Sequence, residues 1–158
     1  MKKILLLFAA LTIGYFASAQ VNPHAIGLRL HGSGKYNGAE ISYQHGLNDT
    51  RRLEGDLSFG FGSDYSRIQL VGIHQWVWNI DGGLNWFAGP GAAVSLDKWD
   101  NENGFINIGI GGQIGLEYDF NQKDVPLALT LDFRPMWDFL GDHAGFGWGL
   151  ALGVRYTF

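Results

Sequence analysis

Histidine and hydroxyl side chains offer the first possible chemistry in this sequence. The chain has five histidines, and one of them, His31, is followed two residues later by Ser33. Farther along, Asp142 directly precedes His143. A serine hydroxyl beside an imidazole and a carboxylate can be activated as a nucleophile. Acyl-transfer chemistry is therefore one hypothesis, and the competing reading makes His31 a structural interior histidine and Ser33 a loop residue.

Metal and cofactor chemistry is only weakly indicated. Asp97, Asp100 and Glu102 could hold a calcium ion, but their spacing departs from the calcium-loop pattern and favours a solvated acidic loop. The chain has no cysteine, which excludes disulfides, thiol catalysis and cysteine-ligated metals. It also has no large basic block, which argues against nucleic acid as a partner. We predict no cofactor and no metal.

The elements that must position these side chains are clearest at the end of the chain, in residues 146–158. Side chains alternate between the two faces of a strand. One face would carry Phe146, Trp148, Leu150, Leu152, Val154, Tyr156 and Phe158, and the other is small or polar. Aromatic rings at both ends of an aliphatic face are typical of a membrane-spanning strand, which needs roughly 9–11 residues.

Seven earlier segments alternate in the same way. They are 25–31, 39–44, 53–61, 67–80, 84–96, 106–120 and 127–134. No helix-period segment separates them, so the sheet should be antiparallel and up-and-down. Backbone groups in hydrocarbon must all be paired within the protein, so a spanning sheet has to close on itself. The sequence predicts an all-β fold, a closed eight-stranded antiparallel transmembrane β-barrel.

The first 19 residues have the pattern of a cleaved signal peptide. Lys2 and Lys3 precede an apolar run, and Ala17-Ser18-Ala19 forms a small-x-small cleavage site before Gln20. The run is short for a transmembrane anchor, which is the competing interpretation. Removing 19 of the 158 residues leaves one predicted barrel domain, 20–158. Its 9 basic and 15 acidic residues give a formal charge of −6.

The small and polar face decides which side of the barrel points inward. The alternative fold is a soluble eight-stranded barrel of the lipocalin kind with the apolar set inside. Glycine and alanine dominate the polar face of several segments, and they suit a crowded interior better than a solvated exterior. Buried charges need partners, and both signs are present on this face. The predicted interior ionic network consists of Arg29, Glu40, Glu54, Asp56, Glu117, Asp119, Asp132, Arg134 and Arg155.

Strand direction gives an approximate depth for these charges. An even strand number returns both termini to the periplasmic side. The links expected to face outward are 32–38, 62–66, 97–104 and 136–145. The links expected to face the periplasm are 46–51, 81–83 and 121–125. The charges then separate into two ionic layers. Glu40 and Arg134 lie toward the outer end, with Arg29 and Asp132 nearer the middle, and the periplasmic end holds Glu54, Asp56, Glu117, Asp119 and Arg155. His74 would fall on the lipid face, so we expect a bulge near Gly72 to shift the phase of its strand.

These segments, the signal peptide and the terminal Phe158 resemble the small eight-stranded outer-membrane barrels of Gram-negative bacteria, including OmpX-like proteins and the OmpA transmembrane domain. In that family the last strand ends in an aromatic residue that is read by the barrel-assembly machinery. Gly153, Tyr156 and Phe158 match this assembly signal, although Ala151 replaces its usual polar residue. Stretches 84–92 and 131–135 are similar to those of Bacteroidota-type members.

The resemblance implies a cell outer-membrane location, contact with outer-membrane lipids and lipopolysaccharide, and a monomer. It also implies that lipid A acyltransferase or deacylase activity must be considered, because some such barrels are enzymes. The His-Ser-Asn stretch of the deacylases is absent, and the palmitoyl-transferase pattern does not align. We therefore predict a non-enzymatic barrel with an envelope-structural or surface-interaction role. A lipid A-modifying enzyme, a small-solute channel and a soluble ligand carrier are the alternatives.

Overall fold

A computed structural model describes residues 21–33, 36–99, 104–140 and 144–158. Eight strands follow one another along the chain: β1 His24–Gly32, β2 Asn37–Asn48, β3 Arg51–Phe61, β4 Tyr65–Asp81, β5 Leu84–Trp99, β6 Phe105–Asp119, β7 Leu127–Asp138 and β8 Gly145–Thr157. Every neighbouring pair is antiparallel, and β1 pairs with β8. The predicted closed eight-stranded up-and-down barrel is thus confirmed. The predicted signal peptide, 1–19, lies outside the described residues.

The two ends of the barrel differ in their connections. The terminal end carries residues 21 and 158 together with the short links 49–50, 82–83 and 120–126. In the two-residue link 82–83, Gly82 has a φ of 52°, a conformation that glycine adopts without steric cost. In the link before β7, a 3-10 helix, Phe120–Lys123, is capped by Asp119, whose side chain accepts a hydrogen bond from the Asn121 backbone N–H. The opposite end, called the distal end below, carries the other four links.

Apolar side chains cover the outside of the barrel, and charged ones fill its inside. Leu129, Leu150 and Ile108 are 44%, 50% and 49% exposed, whereas Arg155 and Asp132 are 0% and 2% exposed. A soluble barrel would show the reverse distribution, because it needs its apolar residues for a core. The lipocalin-like alternative is therefore wrong. Among the described residues no helix has the length and apolar character needed to cross a membrane.

Aromatic rings on the outer surface lie toward the two ends of the strands. Phe61, Trp137, Phe146 and Trp148 are exposed near the distal end, and Trp76, Tyr156 and Phe158 are exposed near the terminal end. Exposed leucine, isoleucine and valine side chains cover most of the surface between the two groups. The outer surface is thus an aliphatic belt with an aromatic girdle at each edge.

The predicted bulge near Gly72 is wrong. β3 and β4 pair continuously from Arg51 with Trp76 to Phe61 with Ser66. His74 therefore stays on the outer face, where its ring packs edge-on against Trp76 at a centroid distance of 4.6 Å. The alternate residues of β4 face the interior, and they include Val71, Ile73 and Val77, each at most 2% exposed. The interior accepts these apolar residues because they pack against one another or against Ala93, Met136 and Phe87.

Candidate functional site

The centre of the barrel holds a connected cluster of ions. Arg29 pairs with Glu40, with Asp56 at 2.8 Å and with Asp132 at 2.6 Å. Arg134, on β7, pairs with Glu40 at 3.2 Å, Glu54 at 3.3 Å and Asp56. Every one of these side chains is at most 9% exposed. Two guanidinium groups thus bridge carboxylates from β2, β3 and β7 across the barrel.

Arg155 and three glutamines extend this cluster. The Arg155 Nη2 donates to Glu54 Oε2 at 2.8 Å and to Ser42 Oγ at 3.0 Å. Gln44 donates to the same Glu54 oxygen at 2.6 Å. Gln113 Nε2 lies within hydrogen-bonding distance of Asp132 at 2.8 Å and Glu54 at 3.1 Å, and Gln75 joins it at 2.6 Å. Neutral amides therefore share the carboxylate oxygens of Glu54 and Asp132 with the arginines.

The terminal end is closed by a second ion pair and by apolar packing. Arg52 binds Glu117 through two contacts of 2.8 Å, and its guanidinium lies 5.0 Å from the centroid of the Phe87 ring. Phe87 is fully buried beside Val77, and Val21 packs against both. The N-terminal segment thus reaches into the barrel end.

Amide hydrogen bonds hold that segment in place. The Asn22 Nδ2 donates to Asp119 Oδ2 at 2.7 Å, and Asn121 Nδ2 donates to Asn22 Oδ1 at 2.7 Å. Asn121 also bonds Thr157 at 2.9 Å. Backbone bonds from Val21 to Asp49 and from Gly46 to Pro23 complete the seal.

The distal end contains a third ionic group. Arg67 donates hydrogen bonds to Asp97 from Nε and Nη2, each at 2.6 Å. Its Nη2 also lies 2.6 Å from Asp138 Oδ2. Its guanidinium carbon lies 5.9 Å from the Tyr36 ring centroid and 5.8 Å from that of Tyr65. Burial raises the pKa of the Tyr36 phenol above its ordinary value.

A cavity of about 310 Å³ opens between the central cluster and the distal end. Its walls include Arg67, Tyr36 and Trp99 on one side, and its floor includes Arg29 and Arg134. On the β8 side the wall is backbone, because the inward positions are glycines 145, 147 and 149. A Cβ atom added at Gly149 would find its nearest neighbour at 3.7 Å, and one at Gly145 would meet nothing within 4 Å. The cavity therefore exists because β8 has glycine, without a side chain, at these three inward positions.

The charged residues fall into three groups, and the expected division into two layers is wrong. Glu54, Asp56 and Arg155 were placed in a terminal layer, but they belong to the central cluster with Arg29, Glu40, Asp132 and Arg134. Their side chains are long enough to reach across a narrow interior. Glu117 pairs with Arg52, and Asp119 accepts hydrogen bonds from Asn22 and the Asn121 backbone.

Four charged residues of the interior were missed by sequence reasoning. They are Arg52, Arg67, Asp97 and Asp138. Each continues the inward parity of its strand at or near its end. Extending the alternating segments by one residue would have found Arg52 and Asp97, and by four residues Asp138, because the strands are longer than those segments. Arg67 already begins segment 67–80, on the inward face of β4.

The hydroxyl that the structure places beside His31 is Ser58, not Ser33. His31 Nε2 lies 3.1 Å from Ser58 Oγ inside the barrel, and Ser58 is only 2% exposed. Ser33 lies in the link after β1 and bonds Tyr36. Asp142 and His143 lie outside the described residues. A serine this deeply buried is inaccessible to an acyl chain on the barrel surface.

The acidic group proposed for calcium is not assembled by the described residues. Asp97 points into the barrel and is engaged by Arg67. Asp100 and Glu102 lie outside the described residues. Within the described part of the chain no three histidine or acidic side chains are placed to share a metal ion.

The three residues of the predicted assembly signal lie on two faces of the last strand. Gly153 faces inward, where a Cβ atom would lie 2.6 Å from Thr130 Oγ1 and 2.8 Å from Arg29 Cγ. Tyr156 and Phe158 face outward and stack at a centroid distance of 6.0 Å. The Phe158 ring also stacks on His24 of β1. The signal therefore lies at the seam that closes the barrel.

Solved structures of other proteins share this fold. No protein-family model and no curated protein matches the chain. Among solved structures, Neisserial surface protein A superposes with a TM-score of 0.68 at 15% identity, over 85% of this chain and 96% of that one. The N-terminal β-barrel domain of Pseudomonas aeruginosa OprF gives 0.64 at 16% identity, over 87% and 100%. The outer membrane protein OprG of the same organism gives 0.57 at 10%, over 90% and 99%.

The architecture is therefore that of the small eight-stranded outer-membrane barrels. At such low identity the likeness shows the fold alone. The relationship to Bacteroidota-type members stays a prediction.

Proposed function

We propose that this chain is an integral protein of the Gram-negative outer membrane, a monomer with a non-enzymatic role in the envelope. The observation that carries the proposal is the inverted distribution of polarity: an aliphatic belt with aromatic girdles outside, and paired ions inside. A belt of this kind is stable only against acyl chains, because water would leave a large apolar surface exposed. Outer-membrane lipids and lipopolysaccharide are thus the proposed surroundings.

The proposed route into the membrane uses the two ends of the chain. Residues 1–19 would direct export and be cleaved, and the barrel-assembly machinery would recognise the strand that contains Gly153, Tyr156 and Phe158. The position of Tyr156 and Phe158 on the outer surface at the closing seam supports this role.

The interior favours a structural role over a channel. The central cluster spans the barrel from Arg29 to Asp132 and from Arg134 to Asp56, and Phe87 and Val21 close the terminal end. An ion crossing the barrel would have to displace several buried pairs, each of which is strongly destabilising to break. A lipid-modifying enzyme is disfavoured by the burial of Ser58.

Membrane fractionation and bilayer recording test this proposal. The full chain, expressed in a Gram-negative host, should be recovered in the outer-membrane fraction, resist extraction by urea, and migrate faster on gels before heating than after. Recovery from the periplasm without detergent would overturn the membrane assignment. In planar bilayers the purified protein should show no steady conductance, and a steady conductance would overturn the closed interior. Lipid A from deletion and parent strains should have the same mass spectrum.

A surface-interaction role is favoured by one further observation, the cavity at the distal end. It is lined by aromatic rings, arginines and carboxylates, and Asp138 Oδ1 is buried there with no hydrogen-bond partner among the described residues. These groups suit a small polar ligand that donates hydrogen bonds. Gly149→Leu would fill the cavity from the β8 wall. If a surface ligand is found, this variant should abolish its binding without altering gel migration, and unchanged binding would contradict the role.

A further inference from the structure

Two histidines face each other on the outer surface at the terminal end, away from the charged interior. His24 is the first residue of β1, and His45 is its direct partner on β2. Their neighbours Ala25 and Gln44 are buried inside the barrel, so both imidazoles point outward. Cross-strand partners have Cβ atoms about 4.5–5.5 Å apart. The strand register alone therefore brings the two rings together.

The nitrogen atoms of these rings are unusually placed for a simple hydrogen bond. His24 Nδ1 lies 3.4 Å from His45 Nδ1 and 2.8 Å from the Tyr43 hydroxyl. An imidazole nitrogen has either one proton or one lone pair. His24 Nδ1 can therefore serve only one of these two neighbours well, and the shorter contact belongs to Tyr43.

The same distance fits a shared metal ion. Zinc binds histidine nitrogen at about 2.0–2.1 Å in tetrahedral geometry, which separates two such nitrogens by about 3.3–3.4 Å. We infer that His24 and His45 form a surface site for a divalent first-row cation of the zinc class, with Tyr43 beside it. Both imidazoles bind through Nδ1, and water fills the remaining positions. The site needs only the barrel register and does not depend on a membrane location.

The third outward histidine of this surface provides a matched control. His45 pairs with Leu53, and Leu53 pairs with His74 on the next strand, so a leucine separates the two imidazoles. The His74 ring packs against Trp76 instead. His74 is therefore also an outward-facing histidine, half-buried against Trp76, but it has no second imidazole opposite.

Zinc titration of the detergent-folded mature chain, purified without a histidine tag, tests the site. Calorimetry should show one zinc ion per chain. His24→Ala and His45→Ala should each weaken binding at least tenfold, whereas His74→Ala should leave it unchanged. Each variant is first checked for heat-modifiable gel migration, which reports the folded barrel. Absence of zinc binding, or equal binding in all variants, would overturn the inference.

A measurement on the unmodified chain keeps the test decisive if a variant fails to fold. Nitrogen NMR of the histidine side chains distinguishes Nδ1 from Nε2. Adding zinc should shift the Nδ1 resonances of two histidines and leave the Nε2 atoms of the same two rings protonated. A shift confined to one histidine, or to Nε2 atoms, would contradict a site built from this pair.

Discussion

The two ends of the barrel interior are built from the same alternating pattern, yet one is filled and the other is open. At the terminal end the inward positions carry Phe87, Val77 and Arg52, and Val21 enters from the N-terminal segment. At the distal end β8 contributes glycine at every inward position from 145 to 149, and a cavity of about 310 Å³ remains. An eight-stranded barrel has room for side chains only, so the size of each inward residue decides locally whether the interior is solid.

The comparison also separates two kinds of glycine. Gly115 lies in the filled region, where a Cβ atom would be 2.6 Å from both the Phe87 ring and Asp132 Cβ. Gly149 lies beside the cavity, with a nearest neighbour at 3.7 Å. The first glycine permits close packing and the second leaves space. Four variants, taken from the largest expected effect to the smallest, test this difference.

Arg155→Glu should have the largest effect, because it breaks the filled centre. The change removes the guanidinium that binds Glu54 at 2.8 Å and puts a carboxylate in its place. Breaking a buried pair costs about 3–5 kcal/mol, and the added like charge makes the loss at least that large. Urea unfolding followed by tryptophan fluorescence measures it. As a control, Arg51→Glu changes an exposed residue at the start of β3. It should change stability by less than about 0.5 kcal/mol.

Phe87→Ala should open the terminal end. The ring is fully buried and packs against Val77 and Val21. Truncation of a buried phenylalanine costs about 3 kcal/mol or more because a cavity remains. The same unfolding assay measures the loss. A cost below about 1 kcal/mol would show that this end is as loosely filled as the distal one.

Gly115→Ala should destabilise the barrel by about 1–3 kcal/mol through overpacking. Besides the Phe87 and Asp132 contacts, the new methyl group would lie 2.7 Å from the Leu131 carbonyl oxygen, which belongs to the sheet backbone and cannot easily move. The denaturant midpoint should fall. An unchanged midpoint would contradict the tight packing assigned to this region.

Gly149→Ala should have the smallest effect, and its sign should be opposite. The methyl group enters the cavity without a clash, and alanine restricts the unfolded chain more than glycine does. Such a change stabilises by about 0.4–1 kcal/mol where the native backbone tolerates it. A loss of stability as large as that of Gly115→Ala would erase the distinction between the two ends.

Much of the fold could be predicted from the sequence because β-strands report their two environments on alternate residues. The eight strands, the closed antiparallel order and the outward direction of Leu129, Leu150 and Ile108 all followed from that alternation. The strand ends did not, so Arg52 and Asp138 were missed. The phase of β4 was misjudged because His74 seemed too polar for the outer face, although Trp76 packs against it.

The local alternation of this chain determines which side chains point inward, since it depends only on the two-residue repeat of a strand. The tertiary structure alone decides which of them meet. Arg29 binds Asp132, 103 positions away, and His31 meets Ser58 in place of Ser33, because these contacts depend on the registers of several strand pairs around a closed barrel. A two-residue repeat carries no information about register between distant strands, so the ion pairs, the cavity and the histidine pair could be located only in the folded barrel.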